Sequence, residues 1–476
     1  MTQVHFDQIT QSQIVLYNIV CLLGLLHVYW KSDRKEVSSL IIFLFAGGVF
    51  SDISIQILGT RILLDSYKAI VFLWSTFLFV KNLKYVDRFK TPFLLFSLFG
   101  IYFLVISFLY HNDNLSLVLS QLSKYISPFF ITIALFAEMR ADLYRRIKLH
   151  SLFLRLLLLQ ILLAVAKLFI LGSFMEGWVG SITGVAGGGA GTSLPLLALF
   201  WLLMVSNMKI NTRIIIFTIG LLFIGIMTGK RAVIVLFPLL YILVLVFVSS
   251  FFANRRNIGY IFSALLFIIG MFYLGLRLTP TLNPENKVWG SFDINYAYDY
   301  GLKYSAGIDE SNRNVQEGTG RVGGFLLFWN DIQNSRDIKR VAFGLGNEYM
   351  AYADKDDYMN SDYYLGIHSR GSITGIVYMY FTIGLIGVIL ILLYLVSLYS
   401  MIEYKRFRYF LLFTVLFDFI FYNAQMIQSI PMFVFQLFIV ISANNSFDKQ
   451  GNFIFNRLRH KYKLKMHKCN YPRKII

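Results

Sequence analysis

Charge is scarce in this sequence. Only 15% of its residues are charged, 57% are hydrophobic, and the mean hydropathy is +0.62. A soluble chain of 476 residues would fold as two or three domains, and such domains cannot bury this much apolar side chain. The solvent is therefore expected to be a bilayer. Cysteine is scarcer still: Cys21 lies in the first apolar segment and Cys469 in the basic tail, where they are not expected to pair. Neither belongs to a metal-binding spacing. Seven scattered histidines form no H-x-x-x-H or H-E-x-x-H pattern, so no zinc and no other cofactor is expected. No basic n-region precedes the first apolar run, so no cleavable signal peptide is expected.

Acidic residues are outnumbered by basic ones, 26 to 44, for a net charge of +18. Nucleic acid is excluded as a partner by where that charge lies. Lys and Arg crowd the tail after residue 447 ("RLRHKYKLKMHK") and the short breaks between apolar runs. That is the pattern of a positive cytoplasmic face with a polybasic tail against anionic lipid headgroups.

Phenylalanine is abundant, with 46 copies, and the apolar residues gather in runs of spanning length. They lie near 14–30, 37–58, 62–80, 92–110, 122–139, 150–173, 193–208, 212–228, 232–253, 258–276, 372–400, 409–424 and 431–446. "KSDRK", "KNLKYVDRFK", "RADLYRRIK", "KINTR", "NRR" and "YKRFR" fall in every second break, whereas residues 1–13, 111–121 and 174–192 hold no Lys or Arg. This alternation predicts an all-α polytopic membrane protein of about 12–13 transmembrane helices with a cytoplasmic C-terminus. Residues 1–276 would hold the first ten helices, 277–371 one large extracytoplasmic loop, 372–446 the last three helices, and 447–476 a basic cytoplasmic tail. Within the loop, "RVGGFLLFWNDIQ" predicts a helix whose Phe325, Leu326, Phe328 and Trp329 form an apolar face for the membrane surface.

"TGKR" (228–231) breaks the charge rhythm, placing Lys230 and Arg231 on the side that should lack cations. They are either a tolerated turn pair or a phosphate site, for which the two-pronged donor array of arginine is suited. Arg321, flanked by glycines ahead of the amphipathic stretch, is either solvated or a positioned guanidinium. In "VAFGLGNEY", Gly344 and Gly346 allow tight backbone turns, although G-x-G outside a strand–helix context is no nucleotide motif. "SITGVAGGGAGTSLP" (181–195) lacks the lysine of a phosphate-binding loop, and reads as a connector or a nest of backbone N–H groups. In "YYLGIHSRGSITG", His368 is either incidental or a working base. Nearby Arg370 disfavours its protonated form, leaving an imidazole able to take a proton from a sugar hydroxyl. Inside the spans, Asp65 and Lys68 can pair locally, Lys167 adds another charge, and Asp52 and Asp418 are functional candidates by default.

The order of these elements resembles the O-antigen polymerase and O-antigen ligase superfamily of bacterial membrane glycosyltransferases. A helix ends in "GIMTGKRAVIV", and a long loop then carries "GTGRVGGFLLFWNDI" and "FGLGNEY". The loop closes with "IHSRGSITGIVYMYFTIGLIG", a His before a helix bearing G-[LI]-[IL]-G. The Gly-rich run is also similar to the family's turn before a mid-chain helix. The motifs cover residues 180–390. Ser369 stands where the family commonly has Asn, and the Gly-rich turn lacks its usual Asn, departures that bear on the acceptor contacts.

The resemblance implies an inverting, metal-independent transfer from an undecaprenyl-pyrophosphate-linked oligosaccharide at the periplasmic face of the inner membrane. Arg231 and Arg321 would bind the pyrophosphate, whose growing charge preorganised cations stabilise. His368 would activate the acceptor hydroxyl. Lys230, Gly344 and Gly346 would support them, and Arg370 would add to the clamp, orient the imidazole or anchor the interface. The acceptor would be a lipid-linked repeat unit in a polymerase, or lipid A–core or a protein in a ligase, with a chain-length regulator a further candidate partner. A transporter of the same lipid-linked sugars is the alternative from another class, although no internal repeat is evident.

Overall fold

The computed structural model describes residues 9–141, 143–172, 177–185, 189–206, 212–228, 234, 266, 269–270, 272–279, 282–306, 320–348, 374–422 and 424–444. Among them there is no β-strand, only one isolated bridge between Val179 and Thr183. The helices are α1 (Gln11–Lys31), α2 (Glu36–Leu44), α3 (Gly47–Asp52), α4 (Ile62–Lys81), α5 (Lys90–Val105), α6 (Leu115–Ala141), α7 (Leu143–Leu171), α8 (Ala190–Val205) and α9 (Thr212–Met227). Next come α10 (Ile294–Ala306), α11 (Gly320–Asn334), α12 (Ile338–Phe343), α13 (Gly375–Ser400), α14 (Lys405–Phe421), α15 (Gln425–Gln428) and α16 (Ile430–Asn444).

Among the described residues, six helices are long and apolar enough to cross a membrane, or seven if α2 and α3, bent by 48°, count as one span. This is fewer than the sequence predicts, for two reasons. Helices α8, α9, α14 and α16 have 16, 16, 17 and 15 residues, and at about 1.5 Å per residue they fall short of a roughly 30 Å hydrocarbon core. The runs 232–253 and most of 258–276 lie outside the described residues, as does the tail after 447.

Two of the short helices, α8 and α16, are central rather than marginal. Every residue of α8 from Ala190 to Met204 is buried, as is α16 from Ile430 to Ala443. A helix apolar all round belongs inside a bundle, and its neighbours supply the length it lacks. The outer helices α1, α4, α5 and α7 instead expose Leu23, Leu73, Leu94, Ile101, Leu162 and Phe169, a surface suited to lipid. Between apolar helices in lipid, cohesion comes from close packing rather than release of water. Stacked rings at the α4–α6, α5–α6 and α7–α16 seams provide it, at 4.2 Å for Phe79–Phe130, 4.6 Å for Phe96–Phe129 and 4.1 Å for Phe153–Phe438.

Local sequence explains the helix ends. Thr10 and Gln13 form a reciprocal capping box at the start of α1, and Lys31 occupies its last turn. Lys81 at the end of α4 bonds Glu36 at the start of α2 at 2.6 Å, and Arg145 at the start of α7 bonds Glu138 near the end of α6 at 3.2 Å. Asp65 and Lys68 do pair within α4, at 3.3 Å, as their spacing predicts.

The polar stretch after 277 is structured where it is described. Arg277 donates to Gly290 O at 2.9 Å and lies 4.4 Å from the Trp289 ring, while the Asn283 amide ties Thr279 O and Lys287 O together. Helices α10, α11 and α12 follow, and α11 forms over the predicted stretch. Its aromatic face divides differently from the expectation. Phe328 packs edge-on to Tyr380 of α13 at 4.9 Å and Phe325 lies 6.1 Å from Phe421 of α14. Leu326 and Trp329 alone face outward, 53% and 48% exposed. The helical period decides this: positions three apart share the face that meets the bundle.

Candidate functional site

Three motif segments dock where membrane helices are broken or end. The first is the "VAFGLGNEY" strap. Asp337 caps α12 by accepting from Arg340 N at 3.0 Å, and Gly344 ends it with φ of +78°. The chain beyond is laid into a break in α13, where Gly384 takes φ +72° and ψ −178°. That break frees carbonyls which lipid cannot satisfy, and the strap satisfies them. Leu345 N donates to Phe381 O at 2.7 Å and Gly346 N to Thr382 O at 3.1 Å. Tyr102 of α5 bridges the two, its hydroxyl 2.8 Å from Ile383 O and 3.1 Å from Ala342 O.

The approach is closer than side chains allow. A Cβ at Gly344 would lie 2.6 Å from Gly384 N, and one at Gly346 would lie 2.9 Å from Asp113 Oδ1. Gly346 itself has φ of +96°, so both glycines make the tight turns their motif predicts.

A latch secures the far end of the strap. α5 ends in a π-helical turn, Ile106–Tyr110, that places Ser107 and the following "HND" against it. Asp113 Oδ2 accepts from Asn347 N at 2.9 Å and from Asn347 Nδ2 at 2.8 Å, and Asp113 Oδ1 accepts from Glu348 N at 3.1 Å. Asn347 Nδ2 also donates to Ser107 Oγ at 2.8 Å. Farther back, Tyr380 donates to Asp331 of α11 at 2.5 Å, and Asp331 pairs with Arg340 of α12. This fastens α11, the helix carrying Arg321, to α13.

The second segment is the buried loop 177–185, which contains the start of the Gly-rich run. Asp52, 1% exposed, accepts from Trp178 Nε1 at 2.6 Å, Val185 N at 2.9 Å and Asn18 Nδ2 at 3.4 Å. Gln160 accepts from Ser181 N at 2.9 Å. Lys167 donates from the opposite side to Gly177 O at 3.0 Å and to Met227 O of α9 at 2.7 Å. Trp178 is held at φ +46°, a backbone conformation that costs a bulky residue energy and persists only where its surroundings enforce it.

The third segment is the junction around Tyr422, at the end of α14. Tyr422 O accepts from Gly375 N at the start of α13 at 3.0 Å. Its hydroxyl lies 3.0 Å from Thr192 Oγ1 at the start of α8. A Cβ at Gly191 would lie 2.1 Å from Thr228 Oγ1 at the end of α9. The junction therefore gathers the starts of α8 and α13 and the ends of α9 and α14.

Of the sequence-predicted residues, Gly344 and Gly346 take part directly in the strap, and Arg321 stands in the first turn of α11. Lys230, Arg231, His368 and Arg370 lie outside the described residues. The last described residue before Arg231 is Thr228, and the first after His368 is Thr374.

Asp52 and Asp418, functional candidates because they are unpaired in the sequence, both have hydrogen-bond partners in the structure. Asp52 saturates the buried loop, and Asp418 Oδ2 accepts from Met426 N at 2.9 Å, closing the turn between α14 and α16. An aspartate buried in a span is stabilised by backbone N–H groups as readily as by a cation.

Sequence reasoning missed Tyr102, Asp113, Asn347, Trp178, Thr192 and Tyr422. Only Asn347, directly after G-x-G, and Asp113, in the polar turn "HNDN", carried a signal. Among the described residues no three His, Cys, Asp or Glu side chains converge as metal ligands would. No protein-family model matches this sequence, and no curated protein matches it.

Proposed function

We propose that this protein is a polysaccharide polymerase of the inner membrane. It would transfer a growing glycan from undecaprenyl pyrophosphate onto a lipid-linked repeat unit at the periplasmic face. The observation that carries the reading is the docking of "FGLGNE" (343–348) into the break at Gly384 of "GLIG". These are two of the ordered motif elements of the O-antigen polymerase and ligase superfamily, and they form one spatial unit.

A second observation supports it. Arg231 follows Thr228 by three residues and His368 precedes Thr374 by six. Thr228, and Gly375 beside Thr374, both lie at the Tyr422 junction. Arg321 lies one helical turn before Phe325, whose ring meets Phe421 beside Tyr422.

In the reaction, the acceptor hydroxyl attacks the anomeric carbon of the donor glycan as His368 takes its proton. The bond from that carbon to the pyrophosphate oxygen breaks with inversion, and undecaprenyl pyrophosphate leaves with the bonding pair. Arg231 and Arg321 hold the departing charge, worth most where water is excluded. Lys230 and Arg370 add to that clamp. The strap, fixed through Gly344 and Gly346, keeps donor and acceptor in attack geometry.

Two observations favour a transporter instead: the broken helix α13, and the buried Asp52 and Lys167. Transport needs groups that a substrate can occupy, and here the chain's own groups take those places. Leu345 N, Gly346 N and Tyr102 fill the break, and Trp178 and Val185 fill Asp52.

The test is elongation of lipid-linked repeat units by the purified full chain in liposomes, with and without lipid A–core. Longer lipid-linked glycan is expected, abolished by Arg231→Ala, Arg321→Ala and His368→Ala. Transfer only to lipid A–core would make it a ligase, and no glycan formed in either arm would refute the reading.

A further inference from the structure

We infer that a buried water-binding site lies under the strap, in a cavity that Asn347 shares with α6 and α13. It takes one water, a neutral ligand that donates to the Asn347 side-chain carbonyl and accepts from the donors of the cavity wall. The site does not depend on the function proposed above.

The latch fixes the orientation of the Asn347 amide. Asn347 Nδ2 donates to Asp113 Oδ2 at 2.8 Å and to Ser107 Oγ at 2.8 Å. An ionised carboxylate only accepts, so the nitrogen end of the amide has to face Asp113. The other end, Oδ1, is an acceptor. Asn347 is 1% exposed, and its Oδ1 is buried with no hydrogen-bond partner among the described residues. A buried acceptor in that position calls for a donor from a ligand.

Asn347 lines a cavity of about 10 Å³ between the strap, α6 and α13, about the room that one water needs. Its wall also carries Gln121 and Tyr125 of α6 and Tyr378, Met379 and Thr382 of α13. Gln121 Oε1 accepts from the Lys124 amine at 2.8 Å, and an ammonium group only donates. That fixes the second amide as well, with Nε2 as its donor end. The Tyr125 hydroxyl donates to Met379 Sδ at 3.5 Å and the Thr382 hydroxyl to Tyr378 O at 2.7 Å, which leaves lone pairs on both oxygens. A water needs two to four polar partners, and this wall supplies both kinds. A cation is disfavoured by the Lys124 ammonium, which stands one hydrogen bond from the wall. Gln121 and Tyr378 are half-buried and form the rim through which water enters. The water carries the hold of the strap to α6 and α13 through the one polar atom of Asn347 that the latch does not use.

Radiolytic hydroxyl labelling tests the site on the full chain in liposomes with no glycan present, because a bound water is itself the local source of the radical. Met379, 2% exposed and in the cavity wall, is expected to oxidise about tenfold faster than Met432 of α16, which is 0% exposed. Thr382→Ile puts an ethyl group in place of the hydroxyl, fills the cavity and should bring Met379 down to the Met432 rate. It should also raise hydrogen exchange of residues 342–348 about tenfold, as Asn347 Oδ1 loses its donor. Thr382→Ser keeps the hydroxyl and should keep the fast oxidation. If Thr382→Ile does not fold, Gln121→Leu, which removes the donor from the rim, should slow Met379 instead. Met379 oxidising no faster than Met432 in the wild type, or unchanged in a folded Thr382→Ile protein, would overturn the inference. So would exchange of 342–348 that is slower in sodium or potassium chloride than in N-methylglucamine chloride of equal ionic strength, the mark of a cation site.

Discussion

Replacing Gly384 with alanine should unseat the strap while leaving the helices in place. The backbone at 384 lies at φ +72° and ψ −178°, a region that residues with a Cβ occupy at a cost of about 1–3 kcal/mol. The new Cβ would lie 2.1 Å from Ala342 O and 2.4 Å from Phe343 N. Both are backbone atoms, so no rotamer change relieves the clash. The strap has to withdraw, and with it go the bonds from Leu345 N and Gly346 N to α13, at about 1 kcal/mol net each.

Strain and lost bonds together destabilise the docked strap by about 3–5 kcal/mol, which at 1.4 kcal/mol per decade raises its open population about a hundredfold to a few thousandfold. Hydrogen exchange followed by mass spectrometry on residues 342–348 of the full chain reads this directly, because exchange tracks local opening. Gly100→Ala is the matched control. It lies within α5, a Cβ there meets nothing within 4 Å, and its expected effect is neutral or slightly stabilising. Unchanged exchange of 342–348 in Gly384→Ala, or an equal rise in Gly100→Ala, would refute the reasoning.

Other substitutions separate carboxylates with apparently similar positions. Asp52→Asn turns an amide toward the Trp178, Val185 and Asn18 donors and should cost about 3–5 kcal/mol. Asp65→Asn removes only a pair whose side chains are 59% and 29% exposed and should cost less than about 1 kcal/mol. Thermal unfolding in detergent compares the two, and equal shifts would contradict the assignment of Asp52. Asp113→Ala leaves Asn347 N and Glu348 N without their acceptor. It should lower the stability of the latch by about 2–4 kcal/mol, seen as faster exchange of 342–348 with α1 and α7 unchanged.

The membrane class and most helices were legible from composition and the lengths of the apolar runs. Both report a property summed over many residues, which survives ignorance of any single contact. The Asp65–Lys68 pair and the turns at Gly344 and Gly346 were legible for another reason, since helix pitch and backbone sterics act within a few residues. The partners of Asp52 and Asp418 were not legible because they include backbone N–H groups, that of Val185 lying 133 residues from Asp52 in sequence. Backbone donors exist at almost every position and leave no mark in a sequence.

The sequence by itself determined that this chain is helical, apolar enough for a bilayer, and marked by an ordered series of Gly, Arg and His motifs. Only the tertiary structure decided that α8 and α16 are central, that α13 is broken at Gly384, and that the strap and Asp52 fill what would otherwise be open groups. The physical reason is hydrogen-bond satisfaction inside an apolar interior. Each break in a helix must find its partners somewhere along the chain, and which segment answers is settled only when the helices pack.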